Sequence, residues 1–322
     1  MEEQTKKLNS RKCAMVGCGF VGSASVYALM QSGLFSEIVL IDANKKKAEG
    51  EALDISHGLP FAKPMNIYAG DYADLADASI VIVTAGAAQK PGETRLDLVK
   101  KNVGIFKSII PQIAAVNQDC ILLIVANPVD VLTYAALKLS GFPKERVIGS
   151  GTVLDSARFQ QMLGEHLTVD SRSINAFIIG EHGDSEIAAW SSANIAGVPI
   201  HRVCEMRGFT DHDYETRRIA DAVKNSAYEI IEKKGATYYG IGMSVTRICE
   251  AIIRNELSIL PVSTLMCGQF GLEGVCLSMP AFVGAHGVDT LLPFTLDVNE
   301  LLLLQKSAST LKSVIQDAGL ED

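Results

Sequence analysis

Three side chains in the second half of the chain have the types and spacing needed for proton chemistry beside an anion. Asp155 and Arg158 stand three residues apart in T-V-L-D-S-A-R-F, and His182 follows in I-G-E-H-G-D-S. Histidine titrates near neutral pH, and a neighbouring carboxylate fixes its tautomer and favours its charged form. The planar guanidinium of arginine binds a carboxylate through two parallel hydrogen bonds. These residues therefore predict a site that moves a proton next to a bound carboxylate.

The same residues also allow structural interpretations, which the sequence alone leaves open. Asp155 and Arg158 would share one face of a helix, where such pairs are commonly exposed salt bridges that contribute little. A lone histidine is more often structural than catalytic, but a carboxylate partner for His182 favours the catalytic interpretation.

A glycine-rich segment, A-G-A-A-Q-K-P-G-E-T-R-L-D-L-V at 85–99, follows the predicted strand 79–84. It leaves the carboxyl end of the sheet, where ligands bind in doubly wound folds. Gly86, Pro91 and Gly92 suit a loop that closes over a substrate and carries Arg95 inward to polarise a carbonyl. The alternative is a surface loop with a solvated arginine.

The N-terminal motif G-C-G-F-V-G predicts a dinucleotide site. Gly17, Gly19 and Gly22 lie directly after an apolar run and at the start of a helical pattern. Their expected roles are the tight turn, the approach of backbone to a pyrophosphate, and the close packing of helix against strand. Asp42 ends the next apolar run, where a carboxylate binds the adenosine ribose. Its charge would repel a 2′-phosphate, so the sequence predicts NAD rather than NADP.

The first half of the chain alternates short apolar runs with helical patterns. Continuous apolar, partly β-branched runs of this kind are typical of parallel strands buried on both faces. Strands are predicted at 12–17, 37–41, 66–69, 79–84, 121–125 and 146–149, and helices at 20–32, 45–55, 95–117 and 129–140. The pattern predicts an α/β fold with a doubly wound parallel sheet of Rossmann order 3-2-1-4-5-6. Pro111 is expected to bend or divide the helix at 95–117.

The second half has a different pattern and predicts an α+β substrate domain with antiparallel strands. Gly268, Gly271 and Gly274 indicate hairpin turns between the strands expected at 258–288. A further strand is predicted at 173–180, and helices at 152–165, 211–232, 238–255 and 297–317. The predicted domains are 1–150, which binds the dinucleotide, and 151–322, which binds the substrate.

Composition narrows the function classes. The chain has 322 residues, 48% of them apolar, and a net charge of −8, which argues against a nucleic-acid partner. No secretory signal or membrane span is visible in the sequence. The seven cysteines are scattered and lack metal-ligand spacing, so we expect reduced thiols, no metal and a cytoplasmic location.

Taken in order, the motifs resemble those of one family. G-C-G-F-V-G, A-G-A-A-Q-K-P-G-E-T-R, V-A-N-P-V-D, L-D-S-A-R-F, I-G-E-H-G-D-S and K-K-G-A-T-Y-Y-G-I are similar to motifs of the NAD-dependent L-lactate dehydrogenases of bacterial type, within the lactate/malate dehydrogenase superfamily. The resemblance covers nearly the whole chain. It implies reversible reduction of pyruvate to L-lactate by NADH in glycolysis and fermentation, and assembly as a homotetramer.

The resemblance also implies a role for individual residues. His182 would give and take the proton with Asp155 as its partner, Arg158 would bind the substrate carboxylate, and Arg95 would polarise the carbonyl. Asn127 would contact both substrate and nicotinamide. Thr237 and Gln89 would line the substrate pocket, and the remaining family cofactor positions are Val21, Lys47, Tyr72, Gly86, Ala87, Ser150 and Ile241.

Two positions refine the expected activity. Malate dehydrogenases carry an arginine where this chain has the neutral Gln89, so pyruvate is expected over oxaloacetate. Many bacterial relatives bind fructose 1,6-bisphosphate through an arginine and a histidine at the positions of Gln160 and Asn175. Without those cations, we expect little or no activation by that sugar phosphate.

Two other functions remain in competition with this one. The first is a malate or other 2-hydroxy-acid dehydrogenase, which a panel of 2-oxo acids would separate. The second is a dinucleotide-binding redox sensor without turnover, although such a protein has no need for His182, Asp155, Arg158 and Arg95 together.

Overall fold

A single large sheet organises the protein. The computed structural model describes residues 8–88, 92 and 94–320, and its main sheet has nine strands. The first six strands, numbered in chain order, are parallel to one another and lie side by side in the order 3-2-1-4-5-6. The predicted doubly wound order 3-2-1-4-5-6 is therefore confirmed.

The parallel part alternates strands and helices as the sequence predicts. Its elements are β1 (Asn9–Val16), α1 (Phe20–Ser32), β2 (Glu37–Ile41), α2 (Lys45–Ser56), β3 (Asn66–Ala69), β4 (Ala78–Val83), α3 (Arg95–Val116), β5 (Ile121–Ile124), α4 (Val129–Ser140) and β6 (Val147–Gly149). The helix α3 runs on through Pro111, so this proline does not divide the helix, and the bend that was the other expectation stays a prediction. The proline lacks only the N–H that would bond to the carbonyl of Lys107.

Both faces of the parallel strands are buried. Along β4, Val81 and Val83 belong to the apolar cluster on one face, and Ile80 and Ile82 belong to the cluster on the other. Successive side chains of a strand point to opposite faces, so an uninterrupted apolar run requires cover on both sides. This burial on both faces holds the strands in place, and the turns that carry Gly17 and Asp42 leave from their carboxyl ends.

The second half adds antiparallel strands and further helices. Its elements are α5 (Val153–Leu167), β7 (Ile174–Asn175), β8 (Ile178–Ile179), β9 (Ile187–Ala188), β10 (Asn194–Ile195), β11 (Val198–Pro199), α6 (Ile200–Met206), α7 (His212–Lys234), α8 (Tyr239–Ile253), β12 (Ser258–Cys267), β13 (Glu273–Gly284), β14 (Gly287–Leu291) and α9 (Val298–Asp317). The strands β12, β13 and β14 extend the parallel sheet in antiparallel fashion. The α+β prediction for this half is confirmed.

One predicted strand is divided in the structure. Instead of a single strand at 173–180, β7 pairs with β10 and β8 pairs with β9, in two separate small sheets. Each half has a different partner, and the chain changes sheets at Ala176–Phe177.

No described helix has the length and apolar character needed to cross a membrane.

Candidate active site

The turn after β1 requires glycine at two positions for different reasons. Gly17 has φ of +105°, and a Cβ there would lie 2.5 Å from the amide nitrogen of Ala85. A Cβ on Gly22 would lie 2.0 Å from the carbonyl oxygen of Gly17, so any larger residue would push α1 away from β1. Both glycines therefore hold the backbone of the turn in place, as the motif predicts.

Gly19 differs, because space is open beside it. An added Cβ would meet nothing within 4 Å, and Gly19 is the N-cap residue of α1. No side chain of the described residues caps this helix, and its first turn carries no acid. The free N–H groups of the first turn face that space, an arrangement that favours an anion such as a pyrophosphate. The turn fits the dinucleotide that the sequence predicts.

Asp42 is held at the end of β2 beside this turn. One carboxylate oxygen accepts the N–H of Cys18 at 2.7 Å, and the other accepts the N–H of Asn44 at 2.8 Å. The side chain is half-buried. Each oxygen keeps a lone pair for another donor, so the carboxylate fits the hydroxyls of a ribose.

The other predicted cofactor residues are distributed around the same edge. Val21 and Ile241 pack against one apolar cluster, Ser150 is buried after β6, and Gly86 and Ala87 follow β4. Lys47 is exposed in the first turn of α2, and Tyr72 is half-buried in the short helical turn before β4. Burial raises the pKa of the Tyr72 phenol. Individual contacts of these residues with a cofactor remain predictions.

The structure brings His182, Asp155 and Arg158 together. Nδ1 of His182 lies 2.5 Å from Oδ2 of Asp155, and Nη1 of Arg158 donates to Oδ1 of Asp155 at 2.7 Å. The Asp155 side chain is 2% exposed and that of Arg158 is 12% exposed. The pair is therefore not a surface salt bridge, which removes the structural alternative left open by the spacing.

The protonation states of His182 and Asp155 depend on two opposing effects, burial and the pairing of opposite charges. Burial opposes the charged imidazolium, but attraction to Asp155 and the hydrogen bond with it raise the pKa of His182 to about 9. Burial also opposes the Asp155 carboxylate, yet His182 and Arg158 together lower its pKa. His182 is therefore a charged proton donor at neutral pH when no ligand is present.

Two hydroxyls fix the helix that carries Asp155 and Arg158. Thr152 donates to the carbonyl of Ile178 at 2.5 Å, and Ser156 accepts the N–H of Ile178 at 2.8 Å. Because β8 contains Ile178 and leads directly into the His182 loop, these bonds set the distance between α5 and His182. The sequence analysis did not identify either hydroxyl.

A second buried carboxyl, also missed in the sequence, holds the backbone of His182. Oδ2 of Asp130 in α4 accepts the N–H of His182 at 2.8 Å. Asp130 is 2% exposed, and burial raises its pKa to about 6 despite its bond to that N–H. The motif V-A-N-P-V-D contains Asp130, but its spacing gave no sign of a contact with His182.

His182, Asp155 and Arg158 line one cavity of about 450 Å³. Its walls include Asn127, Asp155, Arg158, His182, Glu186, Lys224 and Tyr228. The carbonyl of Asn127 accepts a hydrogen bond at 2.8 Å from the buried amide of Asn102, which also bonds to Ala87. Asn102 thus joins the two loops that follow β4 and β5. It is a further residue that sequence reasoning missed.

Three predicted substrate residues stand apart from this description. Gln89 and the side chain of Arg95 lie outside the described residues. Thr237 is half-buried between α7 and α8 and does not line the cavity. A larger cavity, of about 570 Å³, lies near Asp119 and Arg146 and shares no lining residue with the cavity of the His182 group. We assign the chemistry to the smaller cavity because it holds the perturbed titratable groups.

Comparison with known proteins identifies the family. Residues 11–149 match the lactate/malate dehydrogenase NAD binding domain, and residues 152–321 match the alpha/beta C-terminal domain of the same family. The chain belongs to the lactate/malate dehydrogenase family. It is an NAD-dependent oxidoreductase, and the NAD predicted from the glycine turn is confirmed.

Relatives within this family are similar over nearly their whole length. The L-lactate dehydrogenase of Acetivibrio thermocellus is 57% identical over 306 residues, which cover 95% of this chain and 96% of the relative. L-lactate dehydrogenase 1 of Clostridium acetobutylicum is 55% identical over 94% of this chain and 96% of the relative. The crystal structure of a minor L-lactate dehydrogenase from Enterococcus mundtii has a TM-score of 0.94 at 44% identity, covering 97% of this chain and all of that one. The resemblance to bacterial L-lactate dehydrogenases is confirmed.

Proposed function

We propose that this protein interconverts pyruvate and L-lactate with NAD, as an L-lactate dehydrogenase. The observation that carries the proposal is the placement of His182, Asp155 and Arg158 on one cavity wall. The three relatives described above are named as L-lactate dehydrogenases, which supports the same substrate pair. In this scheme residues 1–150 bind the cofactor and 151–322 provide the substrate side, with a homotetramer in the cytoplasm as the expected form.

The proton step uses His182 and its partner. Because Nδ1 of His182 is engaged by Asp155, the other ring nitrogen, Nε2, is the one available to a substrate. In reduction, Nε2–H donates its proton to the carbonyl oxygen of pyruvate, and in oxidation Nε2 accepts the hydroxyl proton of lactate. Asp155 stays ionised and holds the ring in one tautomer. NADH, when bound, supplies the hydride.

The remaining residues bind and orient the substrate. The guanidinium of Arg158 binds the carboxylate of pyruvate, while its bond to Asp155 holds the planar group in place. Asn127 donates its side-chain amide to the substrate oxygen, and Arg95 polarises the carbonyl. Closure of the loop that contains Arg95 would exclude water and strengthen these polar interactions.

Gln89 is proposed to select the substrate. Oxaloacetate carries a second carboxylate, and a neutral Gln89 gives that charge no partner in a closed site. Leaving a buried charge unpaired costs about 2–5 kcal/mol, whereas the methyl group of pyruvate has no such requirement. Gln89→Arg should therefore raise the turnover of oxaloacetate relative to pyruvate.

The decisive test is steady-state kinetics with pyruvate, oxaloacetate and longer 2-oxo acids, followed by NADH absorbance. A preference for pyruvate that Gln89→Arg reverses supports the proposal. A preference of the unchanged enzyme for oxaloacetate would make it a malate dehydrogenase, and NADH binding without turnover of any 2-oxo acid would favour the redox sensor.

We further propose that fructose 1,6-bisphosphate does not activate this enzyme. The amide of Gln160 donates to the carbonyl of Ala176 at 3.1 Å, and Asn175 donates to Asn194 at 3.3 Å. Neither side chain brings the positive charge that a phosphate requires. Adding the bisphosphate at neutral pH should leave the pyruvate KM unchanged, and a large decrease in that KM would contradict this part of the proposal.

A further inference from the structure

Glu186 is a carboxyl group in the active-site cavity that the proposed chemistry does not use. It is half-buried directly before β9 and lines the same cavity as Arg158. One of its oxygens, one oxygen of Asp155 and a ring nitrogen of His182 all lie within 4.8 Å of one another. Within the described part of the chain, the carboxyl group of Glu186 makes no hydrogen bond and no ion pair.

The charges around Glu186 are mixed. Burial is the main reason why the pKa of Glu186 is raised to about 8, and the nearby charge of Asp155 raises it further. The positive charges of His182, Arg158 and Lys224 lower the pKa of Glu186, but by less than burial and Asp155 raise it. The charged and titratable groups that share this cavity are Asp155 and Arg158 on α5, His182 and Asp184 on the same loop as Glu186, and Lys224 and Tyr228 on α7. Near pH 7, Glu186 is therefore mostly neutral.

A bound substrate changes the balance of charge in this cavity. The carboxylate of pyruvate or lactate beside Arg158 adds a negative charge near the carboxylate of Asp155. If Glu186 were ionised as well, a third carboxylate would lie in the same half-buried space, and like charges at this separation repel strongly. A protonated Glu186 avoids that repulsion and can donate its O–H to the incoming anion.

We propose that Glu186 must hold a proton for the substrate carboxylate to bind beside Arg158. This inference rests on the proposed function and deepens it, because it adds a second titratable requirement to that of His182. The two requirements differ in direction. Pyruvate needs a protonated His182 and lactate needs a neutral one, whereas both need a protonated Glu186.

Because pyruvate and lactate need opposite protonation states of His182 but the same state of Glu186, the pH dependence of both KM values can separate the two residues. Glu186→Gln keeps the shape of the side chain and stays neutral at every pH. The ratio of the wild-type KM to the variant KM should be close to one at pH 7 and about tenfold or more at pH 9 for lactate. For pyruvate the ratio at pH 9 should also exceed one but be smaller, because an ionised Glu186 in the wild type favours the charged His182 that pyruvate needs. A change in the pKa of His182 alone would move the two KM values in opposite directions and would contradict the proposal.

Two further variants complete the experiment. Glu165→Gln removes the same charge from an exposed position on α5 and should leave both pH profiles unchanged. Glu186→Asp retains a titrating carboxyl and should keep a rise in KM with pH. Equal KM profiles for wild type and Glu186→Gln between pH 7 and 10 would refute the role of Glu186. Absence of pyruvate and lactate turnover in the wild type would instead refute the proposed function.

Discussion

Asp130 holds His182 by its backbone rather than by its ring. The carboxylate of Asp130, buried in α4, accepts the His182 N–H at 2.8 Å, while Asp155 holds the imidazole from α5. The proposed proton donor is thus fixed from two helices that belong to different halves of the chain. Its position depends on how the parallel part of the fold packs against the second half.

The first prediction concerns Asp130. Asp130→Ala removes the acceptor and leaves a buried N–H without a partner, which costs about 1–3 kcal/mol. We expect thermal unfolding several degrees lower and kcat for pyruvate reduced about tenfold or more, because the His182 loop is no longer held. Asp130→Asn keeps an oxygen that can accept the N–H, so it should retain most of the activity. Equal kinetics for the alanine variant and the wild type would show that this bond does not position His182.

The second prediction concerns pH. Burial opposes the charged imidazolium, but attraction to Asp155 outweighs it and is the main reason why the pKa of His182 is raised from 6.5 to about 9. The stability gained from this pair is therefore complete below pH 6.5 and is lost as pH rises to about 9. In Asp155→Asn, burial lowers the His182 pKa and only the weaker attraction of Asp130 and Glu186 opposes it. The alkaline decline of kcat/KM for pyruvate should then move down by about two pH units or more.

A matched control for this shift is Glu165→Gln, which removes an exposed carboxylate from the same helix. Its profile of kcat/KM against pH should match that of the wild type. If Asp155→Asn lowers activity by the same factor at every pH, Asp155 orients the ring without controlling its proton, and the electrostatic part of the argument fails.

Much of the fold could be predicted because its signals are local. Strands buried on both faces leave uninterrupted apolar runs, and left-handed glycines end α1 and α4 at Gly33 and Gly141. The helix bounds of α1 and α4 matched their patterns for this reason. The strands β9, β10 and β11 are two residues long, which is too short to produce a recognisable periodicity in the sequence.

The site residues that carry the chemistry could be predicted from sequence motifs. The residues that position them through tertiary contacts could not. Asp155, Arg158 and His182 combine residue types that proton transfer requires, and they meet in the structure. Asp130 and Asn102 are polar residues within largely apolar helical sequence, where each could equally have faced solvent. Only the packing of α3 and α4 against the loops shows that both are buried and bonded to site residues.

The third prediction separates two glycines of the same turn. Gly22→Ala places a Cβ 2.0 Å from the Gly17 carbonyl, so it should lower the thermal unfolding temperature by several degrees. Gly19→Ala meets open space in the free protein and should leave that temperature unchanged. Its methyl group occupies the space proposed for the pyrophosphate, so NADH binding measured by fluorescence should weaken about tenfold or more. Unchanged binding by Gly19→Ala would place the pyrophosphate elsewhere.

The fourth prediction concerns the choice between NAD and NADP. Asp42→Ser combined with Ala43→Arg removes the negative charge beside the glycine turn and adds a cation next to it, while the α2 cap residue Asn44 is kept. We expect the ratio of kcat/KM for NADPH to that for NADH to rise about tenfold or more, since the 2′-phosphate gains a partner and loses a repulsion. Asp42 also accepts the N–H groups of Cys18 and Asn44, so some loss of thermal stability should accompany the change.

Asp54→Asn, an exposed change of the same charge on α2, should leave the ratio unaltered. A double variant that folds, binds NADH and still rejects NADPH as strongly as the wild type would mean that another group excludes the phosphate.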